Sequence, residues 1–222
     1  MFNHVDHGIS LPKMTRKTSK GGRKYFTPGN AYPSITTVLS ILSKDSIIAW
    51  RKRVGAEEAN KISLQAATRG TSVHKLAEDY LDNVDDWDKD AMPNNLFTFS
   101  HLKDIMDDRV DNVWFQEEYL YSDKLKCAGQ VDCIAEYNGE LSVIDFKTSR
   151  KPKKIEWVTN YFIQASFYAA AFYERTGVAI KQGVIMIAVD HDHPQIFTVN
   201  THDYLKEFMS VREQYRELKE NG

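Results

Sequence analysis

Three things are scarce in this chain, and each scarcity excludes something. Cysteine is the first: Cys127 and Cys133 are the only two among 222 residues. They do not form a C-x-x-C pair, and two thiols cannot by themselves hold a four-cysteine zinc site or an iron–sulfur cluster. Reduced thiols in a cytosolic protein are the expectation. Long apolar runs are the second. No stretch of 18 apolar residues occurs, so no membrane-spanning helix and no membrane partner are expected. The N-terminus also lacks the apolar core of a secretory leader. Acid is the third, but only locally. Residues 7–44 contain no Asp or Glu, yet carry Lys13, Arg16, Lys17, Lys20, Arg23, Lys24 and Lys44. Rich in Gly, Thr, Ser and Lys, residues 1–30 read as a flexible basic arm, either a solvated tail or an arm that contacts phosphates.

What is present is ordinary for a globular protein, with 42% hydrophobic and 27% charged residues. The length suits one domain, taken as residues 31–222, rather than two. The formal net charge is −2, so the molecule is no polycation. A nucleic-acid partner must be argued from where the charges lie.

The pattern along the chain begins helical and then changes. Ser34 is placed to cap a first helix carrying Ile35, Val38, Leu39, Ile41 and Leu42. A second helix is expected over residues 45–67, with Gly55 as its weak point, and a third over residues 68–83. Residues 82–95 are acidic, carry Pro93 and read as a loop; another helix is expected over residues 98–111. Strand-like segments follow at residues 113–121, 125–137 and 140–148. A long helix is expected over residues 155–175, ending near Gly177. The apolar run at residues 180–189 reads as a buried central strand. A short strand at residues 195–199 and a closing helix over residues 201–219 complete the chain. The fold class expected is α/β, a mixed central sheet flanked by helices, with a helical region at residues 34–111 and the sheet core at residues 113–222.

The chemistry concentrates in one hairpin. Asn138-Gly139 lies between two alternating runs and signals a two-residue type I′ turn. Tyr137 then faces Glu140, and opposed residues sum to about 277 in position number, which places Asp132 opposite Asp145. Lys147, two residues beyond Asp145, points to the same face. Two opposed carboxylates repel, and a hard divalent cation between them resolves the repulsion. Carboxylates suit Mg²⁺ or Mn²⁺, with the Phe146 carbonyl as a natural extra ligand. Lys147 would hold the attacking water or stabilise charge developing on a phosphate. The competing reading is an Asp–Lys–Asp ion-pair cluster on a solvated face. Against it, Leu141, Val143 and Ile134 put an apolar, covered face directly before the acids.

Other candidates are weaker. His74 flanks the apolar stripe of its helix with Glu78 one turn on; it reads as a third metal ligand or as a structural histidine. Gln164 and Tyr168 form a polar i, i+4 ridge on an apolar helix, either capping a packed face or supporting the metal site and the nucleic acid. Arg150, Lys151, Lys153 and Lys154 follow the motif at once and suit a phosphate backbone, or make a solvated turn. The His191-Asp192-His193 turn before Pro194 is discounted as a metal site.

Together these motifs carry a resemblance. Gly129…Asp132, Asp145-Phe146-Lys147, His74 upstream and Gln164-x-x-x-Tyr168 downstream resemble the RecB-like branch of the PD-(D/E)XK nucleases. Within it, the stretch from Tyr32-Pro-Ser-Ile-Thr36 to the C-terminal helix is similar to the group of mitochondrial genome maintenance exonucleases and their phage and bacterial relatives. The resemblance implies a Mg²⁺- or Mn²⁺-dependent exonuclease acting on single-stranded DNA in replication, recombination or repair. It implies that His74, Asp132 and Asp145 ligate metal, that Lys147 is the catalytic lysine, and that Gln164 and Tyr168 support the site. The cysteines of the iron–sulfur relatives are missing, so no cluster is expected. The short basic arm favours a phage or bacterial protein in the cytoplasm over a mitochondrial one. In such enzymes a helical arch lets one strand thread through; the helices from Ser34 to Asn83 are the candidates. DNA contacts are then expected at Ser34, at Arg51 and Arg53 beside Trp50, and at Thr148. A monomer is expected. A structure-specific endonuclease and a non-catalytic DNA-binding module are the alternatives.

Overall fold

The computed structural model describes residues 1–219. A five-stranded sheet forms the centre, in the order β4-β5-β6-β7-β8. Its strands are β4 (Val110–Ser122), β5 (Cys127–Tyr137), β6 (Glu140–Ser149), β7 (Gln182–Val189) and β8 (Gln195–Asn200). Only β6 and β7 run parallel, joined by the crossover helix α5 (Thr159–Thr176). The rest pair antiparallel, so the sheet is mixed, as the sequence pattern predicts. Alternation along the strands feeds two apolar layers. One face buries Ile134, Val143, Ile185 and Ile187 against α1 (Ile35–Leu39), α5 and α6 (Leu205–Lys219). The other buries Cys133, Ile144, Phe146 and Met186 against α3 (Ala56–Leu81) and α4 (Pro93–Arg109). No described helix is long and apolar enough to cross a membrane.

Several boundaries differ from the sequence reading, each for a local reason. The break between the second and third helices falls at Gly55, not near residue 67. α2 (Lys44–Val54) ends there, and Gly55 takes φ 88° and ψ 152°, a conformation that only glycine adopts cheaply. α3 then runs unbroken through Arg69-Gly70-Thr71. α4 starts at Pro93, five residues before expectation, because proline at the first helical position has its φ preset and needs no N–H. α5 and α6 each start four residues late; a 3-10 turn at Ile155–Trp157 precedes α5. Gly177 closes α5 in the left-handed region, with φ 76°.

The flexible arm is the largest correction. The chain instead forms an antiparallel meander of β1 (Thr15–Ser19), β2 (Gly22–Phe26) and β3 (Ala31–Pro33). Tyr25 and Tyr32 bury themselves against Tyr121 and Ala128 of the central sheet. Further upstream, Val5 N–H donates to the Val113 carbonyl and Val113 N–H to the Asn3 carbonyl, both within 2.9 Å. The first residues therefore cover the exposed edge of β4. Gly21-Gly22 between two short runs was the available hairpin signal; the lysines and arginines alternating around it obscured the strands.

Candidate active site

The hairpin register is the predicted one. Asn138 and Gly139 both have positive φ, 52° and 76°, as a type I′ turn requires. Pairing runs from Tyr137–Glu140 to Cys133–Ile144. There the ladder stops, one step short of Asp132 and Asp145. Beyond it β6 stays paired with β7 as far as Ser149–Val189, and β5 stays paired with β4 as far as Cys127–Ser122. The sheet therefore splits between its two middle strands where the acids stand.

A split leaves backbone groups without ladder partners, and buried ones are costly unless replaced. Side chains replace them. The Asp132 carboxylate accepts the Phe146 N–H at 2.8 Å. The Tyr168 hydroxyl, from α5, donates to the Gln130 carbonyl at 2.6 Å. Gln164 Nε2 reaches that same hydroxyl at 3.5 Å, which accounts for the i, i+4 spacing of the pair. Gly129 is required here: a Cβ would lie 2.7 Å from the Tyr168 hydroxyl and 2.8 Å from Ile35 Cγ2.

The split opens into a cavity of about 510 Å³ lined by Asp132, Lys147, His74, Glu78, Gln164 and Tyr168 among others. His74, on α3, holds Nδ1 3.6 Å from Asp132 Oδ2. Glu117 of β4 completes a set not foreseen: donor atoms of His74, Glu117 and Asp132 all lie within 4.8 Å of one another. Gln116 faces Cys133 and Glu118 faces Val131, so Glu117 falls opposite Asp132. Glu117 takes φ 49°, an uncommon conformation for a residue with a side chain, next to the site. Burial, then the charge of Asp132, raises its carboxyl to about 7.

Asp145 stands outside that set, 1% exposed and ion-paired with Lys147 Nζ. Neither of its oxygens has a well-formed hydrogen bond among the described residues. Burial raises its pKa to about 6, opposed by the Lys147 charge and reinforced by Asp132. Lys147 lines the cavity and lies over the Tyr161 ring, 5.1 Å from its centroid.

This donor set fits a hard divalent cation. It offers carboxylates, one imidazole and, at Asp145, a buried carboxylate whose one close partner among the described residues is the Lys147 ammonium.

The expected DNA-contacting residues divide. Ser34 is buried and caps α1, accepting the Thr37 N–H at 3.1 Å, although it also edges the cavity. Thr148, Arg150, Lys151 and Lys153 line a separate shallow groove with Trp157, and Lys154 lies over the Trp157 ring. Arg51 donates to Asn60 on the α2–α3 hairpin; it and Arg53 do not line the cavity. Arg16 and Arg23, from the meander, do.

Sequence comparison agrees with this geometry. Residues 49–221 match the family described as the PD-(D/E)XK nuclease superfamily. Human mitochondrial genome maintenance exonuclease 1 is 26% identical over 210 residues, covering 86% of this chain and 60% of that one. Its Xenopus tropicalis counterpart is 27% identical over 159 residues, covering 65% of this chain and 45% of that one. The chain thus spans about half the length of these relatives. A solved Eubacterium rectale protein named as a candidate exonuclease is 18% identical, covers 67% of this chain and 64% of that one, and superposes with a TM-score of 0.45. The split hairpin with its Asp-x-Lys strand and the family match over residues 49–221 lead to one conclusion: the chain is a nuclease and belongs to the PD-(D/E)XK nuclease superfamily.

Proposed function

We propose that this nuclease is a Mg²⁺- or Mn²⁺-dependent exonuclease that hydrolyses phosphodiester bonds in DNA, preferring a single strand with a free end. The observation that supports this most is the joining of three acids, an imidazole and an ammonium at one opened strand pair. The proposed ligands are Asp132, Asp145, His74 and the Phe146 carbonyl, now joined by Glu117. When bound, the cation would polarise the phosphoryl group and lower the pKa of a coordinated water. Everything else falls to the protein. Asp132, fixed by the Phe146 N–H, is preorganised. Asp145 holds Lys147, whose ammonium is placed to stabilise negative charge developing on the phosphate oxygens as water adds and the bond to the leaving sugar oxygen breaks. Gln164 and Tyr168 hold β5 away from β6. Glu78, half-buried on α3, adds negative charge behind Glu117. The exonuclease names of the relatives support action at strand ends. The working unit in this reading is a monomer.

The test is digestion of linear and covalently closed single-stranded DNA, each end labelled in turn, with Mg²⁺, Mn²⁺ or EDTA. Linear strands should be degraded only with metal, and circles should survive. Rapid nicking of circles would move the assignment to an endonuclease.

A further inference from the structure

The meander that replaces the expected arm forms one wall of the catalytic cavity. Arg16 faces Tyr25 directly across β1 and β2. Arg23 is two residues from Tyr25 on the same strand, so all three side chains share one face of the hairpin. That face looks into the cavity, which Arg16, Arg23 and Tyr25 all line. Lys17 and Lys24 are paired on the opposite face and exposed. The meander holds no acid to neutralise its arginines.

This wall is fixed in place. Ser34 N–H donates to the Arg23 carbonyl at 2.9 Å, and Arg23 N–H donates to Thr37 Oγ1 at 3.1 Å. Tyr25 is 1% exposed. Arg16 Nη1 donates to Gln130 Oε1 at 2.9 Å, and Gln130 Nε2 donates to the Glu117 carbonyl at 2.9 Å. One glutamine thus ties the Arg16 guanidinium to the backbone of a proposed metal ligand. Each guanidinium carries five N–H donors in a planar fork, and Arg16 has one so engaged. Two guanidiniums on a rigid wall of the cavity that holds the acid cluster match a second anionic group of the same substrate.

We propose that Arg16 and Arg23 bind a phosphate of the DNA strand other than the one being cut, and so set which bond reaches the Asp132 site. This rests on the reading that the cavity is where a DNA strand is hydrolysed. The phosphate is either a neighbouring internal one or a terminal one.

The test uses full-length protein with Lys147→Ala, so that binding is measured without cleavage. Arg16→Gln/Arg23→Gln is compared with Lys17→Gln/Lys24→Gln, which removes the same charge from the outward face of the same hairpin. Binding of a short single-stranded oligodeoxynucleotide is followed by fluorescence anisotropy across a salt series, with thermal melts to verify folding. The arginine pair should weaken binding about tenfold or more and reduce the slope of log K against log[salt] by about 1.4. The lysine pair should change binding less than about twofold. Oligonucleotides with and without a 5′- or 3′-phosphate separate the sources. A loss confined to one phosphorylated end identifies a terminal phosphate, and an equal loss on all identifies an internal one. Equal losses from both pairs, or none from the arginine pair in folded protein, overturn the proposal. Cleavage is measured separately with Lys147 intact: loss of cleavage in Asp132→Asn alone leaves the catalytic reading standing, whatever the arginines do.

Discussion

Tyr168→Phe isolates the feature on which the site depends, the opening between β5 and β6. The substitution removes one oxygen from a side chain that is 2% exposed and leaves the ring in place. What disappears is the 2.6 Å hydrogen bond to the Gln130 carbonyl. No ladder partner can substitute, because β6 has already left β5 at that level. Losing a buried hydrogen bond and stranding its acceptor costs about 1–3 kcal/mol. At about 2–4 °C per kcal/mol for a chain of this size, a loss of about 2 kcal/mol lowers Tm by about 4–8 °C. Activity should fall as well, through displacement of Gln130 and with it Glu117. The assay is a thermal melt without metal beside single-turnover cleavage. A double-mutant cycle sharpens it: among the described residues Gln164 Nε2 reaches only the hydroxyl that Tyr168→Phe deletes, so Gln164→Ala should cost less in that background than in the parent. A melt within about 1 °C of the parent, or full additivity of the two changes, would refute the idea that this side-chain pair holds the strands apart.

Three further outcomes are expected. Lys147→Ala should reduce single-turnover cleavage by about 10²–10³-fold and leave DNA binding largely intact, since its ammonium acts on developing charge; a fully active variant removes it from the mechanism. Asp132→Asn should be inactive yet at least as stable as the parent without metal. The amide oxygen can still accept the Phe146 N–H, and repulsion with Asp145 and Glu117 is relieved; a large fall in Tm would favour a purely structural ion-pair cluster. Glu117 gives a pH signature. Its carboxyl is raised to about 7 by burial and by Asp132, above its unfolded value. The folded state therefore binds the extra proton between those values, and this stabilisation is present in acid and lost as pH rises through about 7. Metal-free Tm should decline over that window, and Glu117→Gln should flatten the decline; an unchanged slope shows that Glu117 does not titrate there.

Much of this site is local and was legible from residues alone. A two-residue Asn-Gly turn permits one register, so the sequence by itself determined that Asp132 and Asp145 arrive at the same level and that Lys147 follows. Helical spacing likewise determined that Gln164 and Tyr168 share a ridge, and the order of helices and strands determined an α/β sandwich with a mixed sheet. Tertiary structure decided the rest, because the rest depends on contacts between distant segments. β4 and β5 are joined by residues 123–126, a loop without an Asn-Gly signature to set the register; only the pairing of Ser122 with Cys127, which then runs unbroken to Gln116–Cys133, puts Glu117 opposite Asp132. At the strand split, α5 supplies a hydroxyl to a carbonyl that has no ladder partner on β6, and Asp132 accepts the Phe146 N–H. The basic N-terminal segment has too little apolar surface of its own to look folded. Burial of Tyr25 and Tyr32 on the finished central sheet orders it and carries Arg16 and Arg23 to the cavity, which is why a wall of the site read as a flexible tail.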